Sequence, residues 1–345
     1  MTPSATHQLE FLQKIQLLLE EGSFSSTYKF ALLLAISDLA VESGDVGAKP
    51  LTLSIVEIAK KFISYYWRQS SPYPAYEGEH DILFQNKGSQ ADIINTLLSV
   101  QVSSHTRLSQ ALHNDRLVQK VSNVVAKMPL WRLQNFSHGL DDFLYPHNED
   151  KKDIVLREGV AYCLRIFHGQ IQSMVKGAWV QWVSQLKRNQ SILGQHIELS
   201  DFMFGSQRAD LSIYKPILKD IQSNTCFYCG KALHSKAGEV DHYIPWSRYP
   251  VDLGHNFVLT HASCNNDKRD MLAATAHLEH WLTRNEQYAP QLTAYFDEQN
   301  LNHDITTSLS ITSWAYSKTE MMSGDVWLSK KGQTERLTNS WRELF

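Results

Sequence analysis

Apolar residues recur at three- and four-residue intervals through most of the first 200 positions of the chain. In the stretch Leu9–Glu21 they are Leu9, Leu12, Ile15, Leu18 and Leu19, a spacing that forms one apolar face of a helix. The same pattern predicts further helices over Phe24–Val41, Leu53–Trp67, Ala91–Leu98, His105–Leu112, Val118–Val125 and Glu158–Leu186, the last as one helix or an interrupted pair. Residues 1–205 are therefore predicted to form a mostly helical domain with a core of its own.

The pattern changes after Asn224, where the chain becomes rich in Cys, His, Asp and Asn and is punctuated by glycines. Helical spacing returns at Leu272. Polar and apolar residues then alternate over Ser308–Tyr316 and Asp325–Ser329, which predicts one or two strands near the C-terminus. We expect a small second domain over residues 206–290 and a C-terminal extension over residues 291–345.

Composition limits the classes of protein that fit. The chain has 345 residues, a hydrophobic content of 43% and a formal net charge of −3, which exclude global disorder and a surface that is basic throughout. Any nucleic-acid site must therefore be a local patch. The longest apolar run, Phe30–Ile36, is too short to span a bilayer, and the N-terminal residues do not resemble a signal peptide. The sequence predicts a soluble, cytoplasmic protein that does not bind membranes.

Three of the four cysteines cluster with one histidine at metal-ligand spacing. Cys226 and Cys229 form a C-x2-C pair, and His261 and Cys264 form an H-x2-C pair about thirty residues later. Paired ligands separated by two residues are typical of tetrahedral structural Zn²⁺ sites. The alternative is two reduced, buried cysteines with a surface histidine. The fourth cysteine, Cys163, lies in a predicted helix and is expected to be a core thiol.

The residues between and after these pairs resemble HNH endonucleases, the ββα-metal nuclease family, in its zinc-knuckle branch. The shared signature consists of C-x2-C, Asp241-His242-x-x-Pro245, Asn256-Phe-Val and Cys264-Asn265-x-x-Lys268, in that order. It covers about residues 225–272. The chain departs from the family at Thr260, where Leu is frequent, and at His261, where the second zinc pair commonly has Cys. The resemblance implies an α+β chain in which a helical domain precedes a zinc-stabilised ββα-metal domain and a short extension.

The resemblance also implies a role for each motif residue. His242 would be the general base, since an imidazole can accept a proton near physiological pH. Asp241 and Asn265 would hold one Mg²⁺ or Mn²⁺ ion, for which hard oxygen ligands are suited. Asn256 would orient the base, and Lys268 would contact the scissile phosphate. Asn266 is an alternative to Asn265 if the register of the helix differs.

Two groups of side chains are candidates for nucleic-acid contacts. Arg248, Lys268 and Arg269 could form the required basic patch, together with Lys231, His234 and Lys236, although solvated surface charges are the alternative. Consecutive aromatic residues at Tyr65–Trp67, followed by Arg68, could stack on bases, or they could be part of the core. His255 is interpreted as a loop histidine.

The function implied is a metal-dependent endonuclease that hydrolyses DNA, most simply double-stranded DNA, in a bacterial defence or restriction-type role. Residues 1–205 would then recognise the target or regulate cleavage. A homodimer would allow both strands to be cut, because one HNH site cuts one strand. Two alternatives remain open: a non-catalytic zinc module that binds nucleic acid or protein, and a nuclease directed at RNA.

Overall fold

The computed structural model describes residues 2–22, 24–74, 81–104, 107–148, 153–193, 199–205, 211–234 and 238–345. The chain divides into two compact units. Unit 1 comprises residues 1–41 and 46–206, and unit 2 comprises residues 42–45 and 207–345. Several predictions fall in part outside the described residues: His105, Lys236 and the domain boundary at residues 205–206, which adjoins the undescribed segment 206–210.

Unit 1 is mainly helical, as its periodicity predicts. Its helices are α1 (Ala5–Glu21), α2 (Tyr28–Glu42), α3 (Ile55–Gln69), α4 (Asp92–Ser104), α5 (Leu108–Leu112), α6 (Asp115–Lys127), α7 (Pro129–Arg132), α8 (Val160–Ile166), α9 (His168–Ser184), α10 (Lys187–Leu193) and α11 (Leu199–Phe204). The predicted helix over Glu158–Leu186 is thus the interrupted pair α8 and α9.

Helix α2 lies at the centre of the unit 1 core. All of its residues are buried except Asp38 and Glu42. The run Phe30–Ile36 is apolar on every side of this helix, which is typical of a helix surrounded by others. Asp38 accepts hydrogen bonds from the hydroxyl of Tyr65 at 2.6 Å and from Gln172 at 2.7 Å, which satisfies its carboxylate at the edge of the core.

Four short strands in unit 1 escaped the sequence analysis. Strand β1 (Leu51–Leu53) pairs antiparallel with β4 (Ile154–Leu156), and β2 (Asn135–Phe136) pairs with β3 (Gly139–Leu140). The predicted start of a helix at Leu53 is wrong, because Leu53 ends β1. Helix α3 begins at Ile55, where the Ser54 hydroxyl accepts a hydrogen bond from the Val56 amide and so caps the helix.

Unit 2 contains the Cys- and His-rich segment. Its elements are a 3₁₀ turn (Leu211–Tyr214), α12 (Lys215–Ile221), β5 (Glu239–His242), a 3₁₀ turn (Gly254–Asn256), β6 (Phe257–Thr260), α13 (Ala262–Lys268), α14 (Thr275–Gln287), α15 (Ala289–Glu298), α16 (Ile305–Met321), β7 (Asp325–Ser329), β8 (Gln333–Arg336) and a last 3₁₀ turn (Asn339–Leu344). Strands β5 and β6 are antiparallel and α13 follows them, which gives the ββα order. The α+β class is confirmed.

The prediction of a strand over Ser308–Tyr316 is wrong, since these residues lie in α16. The alternating apolar residues Leu309 and Ile311 coincide with a helical pattern in which Ile311, Trp314 and Ala315 are buried together. The second expected strand is confirmed as β7, which pairs with β8. No helix among the described residues is long and apolar enough to cross a membrane.

Candidate active site and metal centre

The four residues with metal-ligand spacing converge in unit 2. The ligand atoms of Cys226, Cys229, His261 and Cys264 all lie within 4.8 Å of one another. The sulfur atoms of Cys226 and Cys264 are 3.7 Å apart, and the Cys229 sulfur is 3.4 Å from Nδ1 of His261. Sulfur atoms at about 2.3 Å from a tetrahedral zinc ion are roughly 3.8 Å apart, so the spacing fits Zn²⁺.

A tight turn in the backbone directs the side chains of Cys226 and Cys229 towards the same point. The Gly230 amide bonds to the Cys226 carbonyl at 2.9 Å, and Gly230 has φ +66°, a conformation that glycine adopts without strain. The Phe227 amide donates to the Leu259 carbonyl at 2.9 Å and ties this turn to β6. The second pair lies at the start of α13, where His261 is the residue that precedes the first helical turn and Cys264 is buried.

The contacts of His261 fit the tautomer that a zinc ligand needs. Its Nε2 lies 3.2 Å from the Ala232 carbonyl, which can only accept a hydrogen bond. A neutral ring with its proton on Nε2 would direct the lone pair of Nδ1 at the cluster. This arrangement argues for His261 as the fourth ligand, although the family commonly has Cys at this position.

The environment of the thiols also favours a cation. Burial raises the pKa of Cys226, but hydrogen bonds from Thr260 and from the backbone amides of Cys229 and His261 outweigh it and lower the pKa to about 6. The pKa of Cys264 is raised to about 12 by burial and by the neighbouring Cys226. Several thiolates in one buried cluster repel one another unless a metal ion compensates their charge.

Asp241 and His242, the predicted metal ligand and general base, lie on β5, which pairs with β6 beside the Cys/His cluster. Asp241 lies opposite Val258, and His242 lies opposite Phe257. Strand β5 ends at His242, so the chain turns away directly after the two adjacent polar residues. The imidazole is held between the rings of Phe257 and Trp246, whose centroids are 4.8 and 5.4 Å away.

A carboxylate that sequence analysis missed contacts the imidazole. Nε2 of His242 lies 2.8 Å from Oδ1 of Asp252, and the two side chains are 17% and 26% exposed. The backbone carbonyl of Asp252 accepts a hydrogen bond from Asn302, whose own carbonyl bonds to the Gly254 amide. Hydrogen bonds to Asn302, which lies between α15 and α16, therefore hold the loop that carries Asp252.

Asp241 is bound by two donors. Its Oδ2 accepts a hydrogen bond from the Tyr228 hydroxyl at 2.7 Å and lies 3.1 Å from Nζ of Lys268. Burial, together with the nearby Asp241 carboxylate, raises the pKa of Tyr228 well above its ordinary value, so the phenol stays a hydrogen-bond donor. Lys268 is fully buried and also donates to the His242 carbonyl at 3.1 Å.

Asn265 lies in α13, which packs on β5. Its amide nitrogen donates to Oε2 of Glu239 at 3.1 Å. Glu239 and Asp241 share one face of β5, because residues two apart in a strand point the same way. Two carboxylates thus lie on this face of β5, and the Asn265 amide contacts one of them.

Comparison with protein-family models gives matches to both parts of the chain. A model described as a domain of unknown function, DUF8808, covers residues 8–199, which is more than half of the chain. The chain belongs to the DUF8808 family. A second model, described as HNH endonuclease, matches residues 226–274. No curated protein and no solved structure matches the chain significantly.

The resemblance to HNH endonucleases is therefore confirmed for a small segment of this DUF8808 protein, and that segment points to nuclease activity and a nucleic-acid substrate. The DUF8808 match lies in unit 1 apart from residues 42–45, and the HNH match lies within unit 2. The HNH segment contains all four members of the Cys/His cluster.

Three predicted residues of the HNH segment have surroundings that differ from those expected. Both amide atoms of Asn256 bond to the backbone of Ile244, at 2.8 and 3.1 Å, so this side chain braces the turn after β5 rather than the imidazole of His242. Lys268, expected to contact phosphate, is buried against Asp241. His255 is buried in contact with Phe296, and burial lowers its pKa to about 4.

The remaining predicted residues lie at or near the surface. Arg248 is partly exposed and donates to the Asp270 carbonyl at 3.3 Å. The side chains of Arg269, Asn266, Lys231 and His234 are exposed. In the DUF8808 domain, Tyr66 is fully buried and bonds to Thr27 at 2.6 Å, so its ring belongs to the core and does not stack on bases.

Residues beyond residue 274 support the HNH segment and gave no motif in the sequence. The Arg284 guanidinium donates to the carbonyls of Phe257 at 2.6 Å and His255 at 2.7 Å, which anchors the start of β6. The hydroxyls of Tyr316 and Tyr243 are 2.7 Å apart. Arg284 and Tyr316 occupy buried positions in helices that look like ordinary core positions. Of the supporting residues, only Asp252, which lies between two motif pieces, offered a signal in the sequence.

Proposed function

We propose that the protein is a metal-dependent endonuclease that hydrolyses phosphodiester bonds of double-stranded DNA, with His242 as the general base. The observation that carries the proposal is the contact between His242 and Asp252 at the end of β5, the strand that also carries Asp241. A non-catalytic zinc module would have no use for a carboxylate that holds an imidazole at the end of this strand.

The contact assigns the tautomer of the His242 ring. A carboxylate only accepts hydrogen bonds, so Nε2 of His242 carries a proton that it donates to Asp252. Nδ1 then has the lone pair that takes a proton from the attacking water, and within the described part of the chain it makes no hydrogen bond. Asp252 is a positioning residue, since it stabilises the imidazolium that forms without touching the substrate.

The residues beside His242 fit a hard divalent cation. Both donors to Asp241 contact Oδ2, and the amide of Asn265 uses its nitrogen, so Oδ1 of each side chain is available as a ligand. Glu239 adds a third oxygen donor on the same face. A bound Mg²⁺ or Mn²⁺ would supply charge for the scissile phosphate and the leaving oxygen. Lys268 holds Asp241 in place and offsets its charge.

For the substrate, the proposal includes contacts from Arg248 and Arg269 to DNA phosphates. Arg248 lies at the end of the turn after β5, and Arg269 follows the last residue of α13. The side chain of Arg269 is exposed. A defence or restriction-type role, a homodimer that cuts both strands and a cytoplasmic location belong to the same proposal, by analogy with the resemblance. Their test is cleavage of phage DNA and of DNA with modified bases.

Supercoiled plasmid tests the activity directly. The zinc-loaded protein is incubated with plasmid in buffer without Mg²⁺ and with Mg²⁺ or Mn²⁺, beside His242→Ala. His113→Ala is the matched control, because it removes an exposed histidine outside the HNH segment. We expect nicked or linear products only with added metal, unchanged cleavage by the control, and a rate that falls about 10²- to 10⁴-fold in His242→Ala.

Three results would contradict the proposal. Equal cleavage by His242→Ala would remove His242 as the base. Binding of DNA without cleavage of plasmid, phage or modified DNA at any metal concentration would favour the zinc-module alternative. Cleavage of RNA oligonucleotides at a much higher rate than duplex DNA would assign the same chemistry to RNA.

A further inference from the structure

Unit 1 contains a cavity with charged side chains in its lining that the nuclease proposal does not use. Its volume is about 310 Å³, at the lower end of the range for small-molecule sites. It lies where α2 and α4 begin and α7 passes, and its lining includes Tyr28, Lys29, Asn86, Asp92, Arg132 and Asn135. Three serines, at positions 25, 26 and 89, add hydroxyl groups to the wall.

The two cations of this cavity lack an anionic partner. Lys29 is only 7% exposed, and its ammonium makes one hydrogen bond, to the Asn135 carbonyl at 3.3 Å. An ammonium has three protons to donate, and a buried ammonium without a counter-ion is costly. Neither Lys29 nor Arg132 forms a salt bridge with any residue in the described ranges.

The nearby Arg132 guanidinium and the helix N-termini add positive charge around Lys29 instead of compensating its charge. Burial and the nearby Arg132 guanidinium lower the pKa of Lys29 to about 8, which means that the two cations act on each other. Asp92 lines the same cavity but is not within ion-pair distance of Lys29. Tyr28 and Asp92 are the first residues of α2 and α4, helices of 15 and 13 residues, whose N-terminal ends carry partial positive charge.

We propose that this cavity binds a small phosphate-bearing molecule, no larger than a mononucleotide, with Lys29 and Arg132 on the phosphate. An ammonium and a planar guanidinium together match the charge and the several acceptor oxygens of a phosphate group. The serine hydroxyls, Asn86 and Asp92 supply hydrogen bonds for a polar remainder such as a sugar. The DUF8808 domain would then be a ligand-responsive domain, independently of whether unit 2 cleaves DNA.

Calorimetric titration of the full chain tests this site. The probes are inorganic phosphate, 5′-AMP, 5′-dCMP, unphosphorylated adenosine and a 12-base-pair DNA duplex. We expect binding of a phosphate-bearing probe but not of adenosine. Arg132→Gln and Lys29→Met should weaken that binding about 10- to 100-fold, since each removes a charged hydrogen-bond donor. Lys120→Gln, an exposed position on α6, is the matched control.

Thermal melting separates binding from folding. Because Lys29 is buried without a counter-ion, Lys29→Met should melt at the same or a higher temperature than the wild type without ligand, and should lose the upward shift that the ligand produces. A lower melting temperature with unchanged binding would make Lys29 structural and overturn the proposal. Equal binding of adenosine and of the phosphate-bearing probes would also overturn the proposal. The same holds if duplex DNA is the only probe whose affinity depends on Lys29 and Arg132.

Discussion

Substitution of Asp252 by asparagine probes the proposed catalytic arrangement with little change in shape. Asparagine keeps one acceptor oxygen, so the 2.8 Å contact to Nε2 of His242 can persist. What disappears is the negative charge that stabilises the imidazolium formed when His242 takes a proton. Asp252→Ala removes both the charge and the contact.

The structure sets the size of the effect. A hydrogen bond to a charged partner contributes about 1.5–3 kcal/mol, and the 17% and 26% exposure of the two side chains allows some screening by solvent. We assign the lower figure, about 1.5 kcal/mol, to Asp252→Asn and the upper, about 3 kcal/mol, to Asp252→Ala. Since about 1.4 kcal/mol corresponds to a factor of ten, kcat should fall roughly tenfold in Asp252→Asn and roughly 100-fold in Asp252→Ala.

Steady-state cleavage of a short fluorescent duplex gives kcat and KM separately. We expect the loss in kcat with KM nearly unchanged, because Asp252 contacts the base and not the DNA. Glu279→Gln, which removes an exposed carboxylate of the same unit, controls for the change in net charge and should cleave like the wild type. An unchanged kcat in Asp252→Ala, with melting temperature intact, would refute the assignment of Asp252 as the positioning residue.

Three further substitutions test the zinc centre, the loop and the metal ligand. Cys264→Ser should release zinc and lower the melting temperature of unit 2, measured by metal analysis and calorimetry, because structural zinc contributes folding energy. Gly254→Ala should lower the free energy of unfolding in urea by about 1–3 kcal/mol, since its Cβ would lie 2.6 Å from the Phe296 ring. Tyr228→Phe removes a hydrogen bond to Asp241 and should reduce cleavage about tenfold while zinc content stays constant.

Motifs predicted the Cys/His cluster, whose members are neighbours in sequence within each pair. Cys226 and Cys229 share one turn, and His261 and Cys264 share the start of one helix, so spacing alone indicated how each pair would meet. Helical periodicity was equally informative in unit 1, where long amphipathic helices pack around α2. It failed over Ser308–Tyr316, because a short apolar alternation fits both a strand and one face of a helix.

Contacts between distant segments could not be predicted. Nothing in the sequence relates Asn302 to Asp252 or Arg284 to Phe257, since each contact depends on how α14 to α16 fold back on the HNH segment. The burial of Lys268 has a similar origin. Its spacing from Asn265 placed it correctly on α13, but only the packing of that helix on β5 directs the ammonium to Asp241 instead of solvent.

The zinc centre and the proposed catalytic centre share their supporting residues. Phe227 and Tyr228 lie between the two cysteines of the first zinc pair; the Phe227 amide bonds to β6, and the Tyr228 hydroxyl bonds to Asp241. Helix α13 likewise carries Cys264 on one side and Asn265 and Lys268 on the side of β5. A zinc ion held by the four Cys and His side chains would therefore fix both the turn and the helix whose side chains surround Asp241. A ββα unit of this size has little core of its own, so the metal would take the structural role that a larger core has, and it would hold the proposed ligands Asp241 and Asn265 in register.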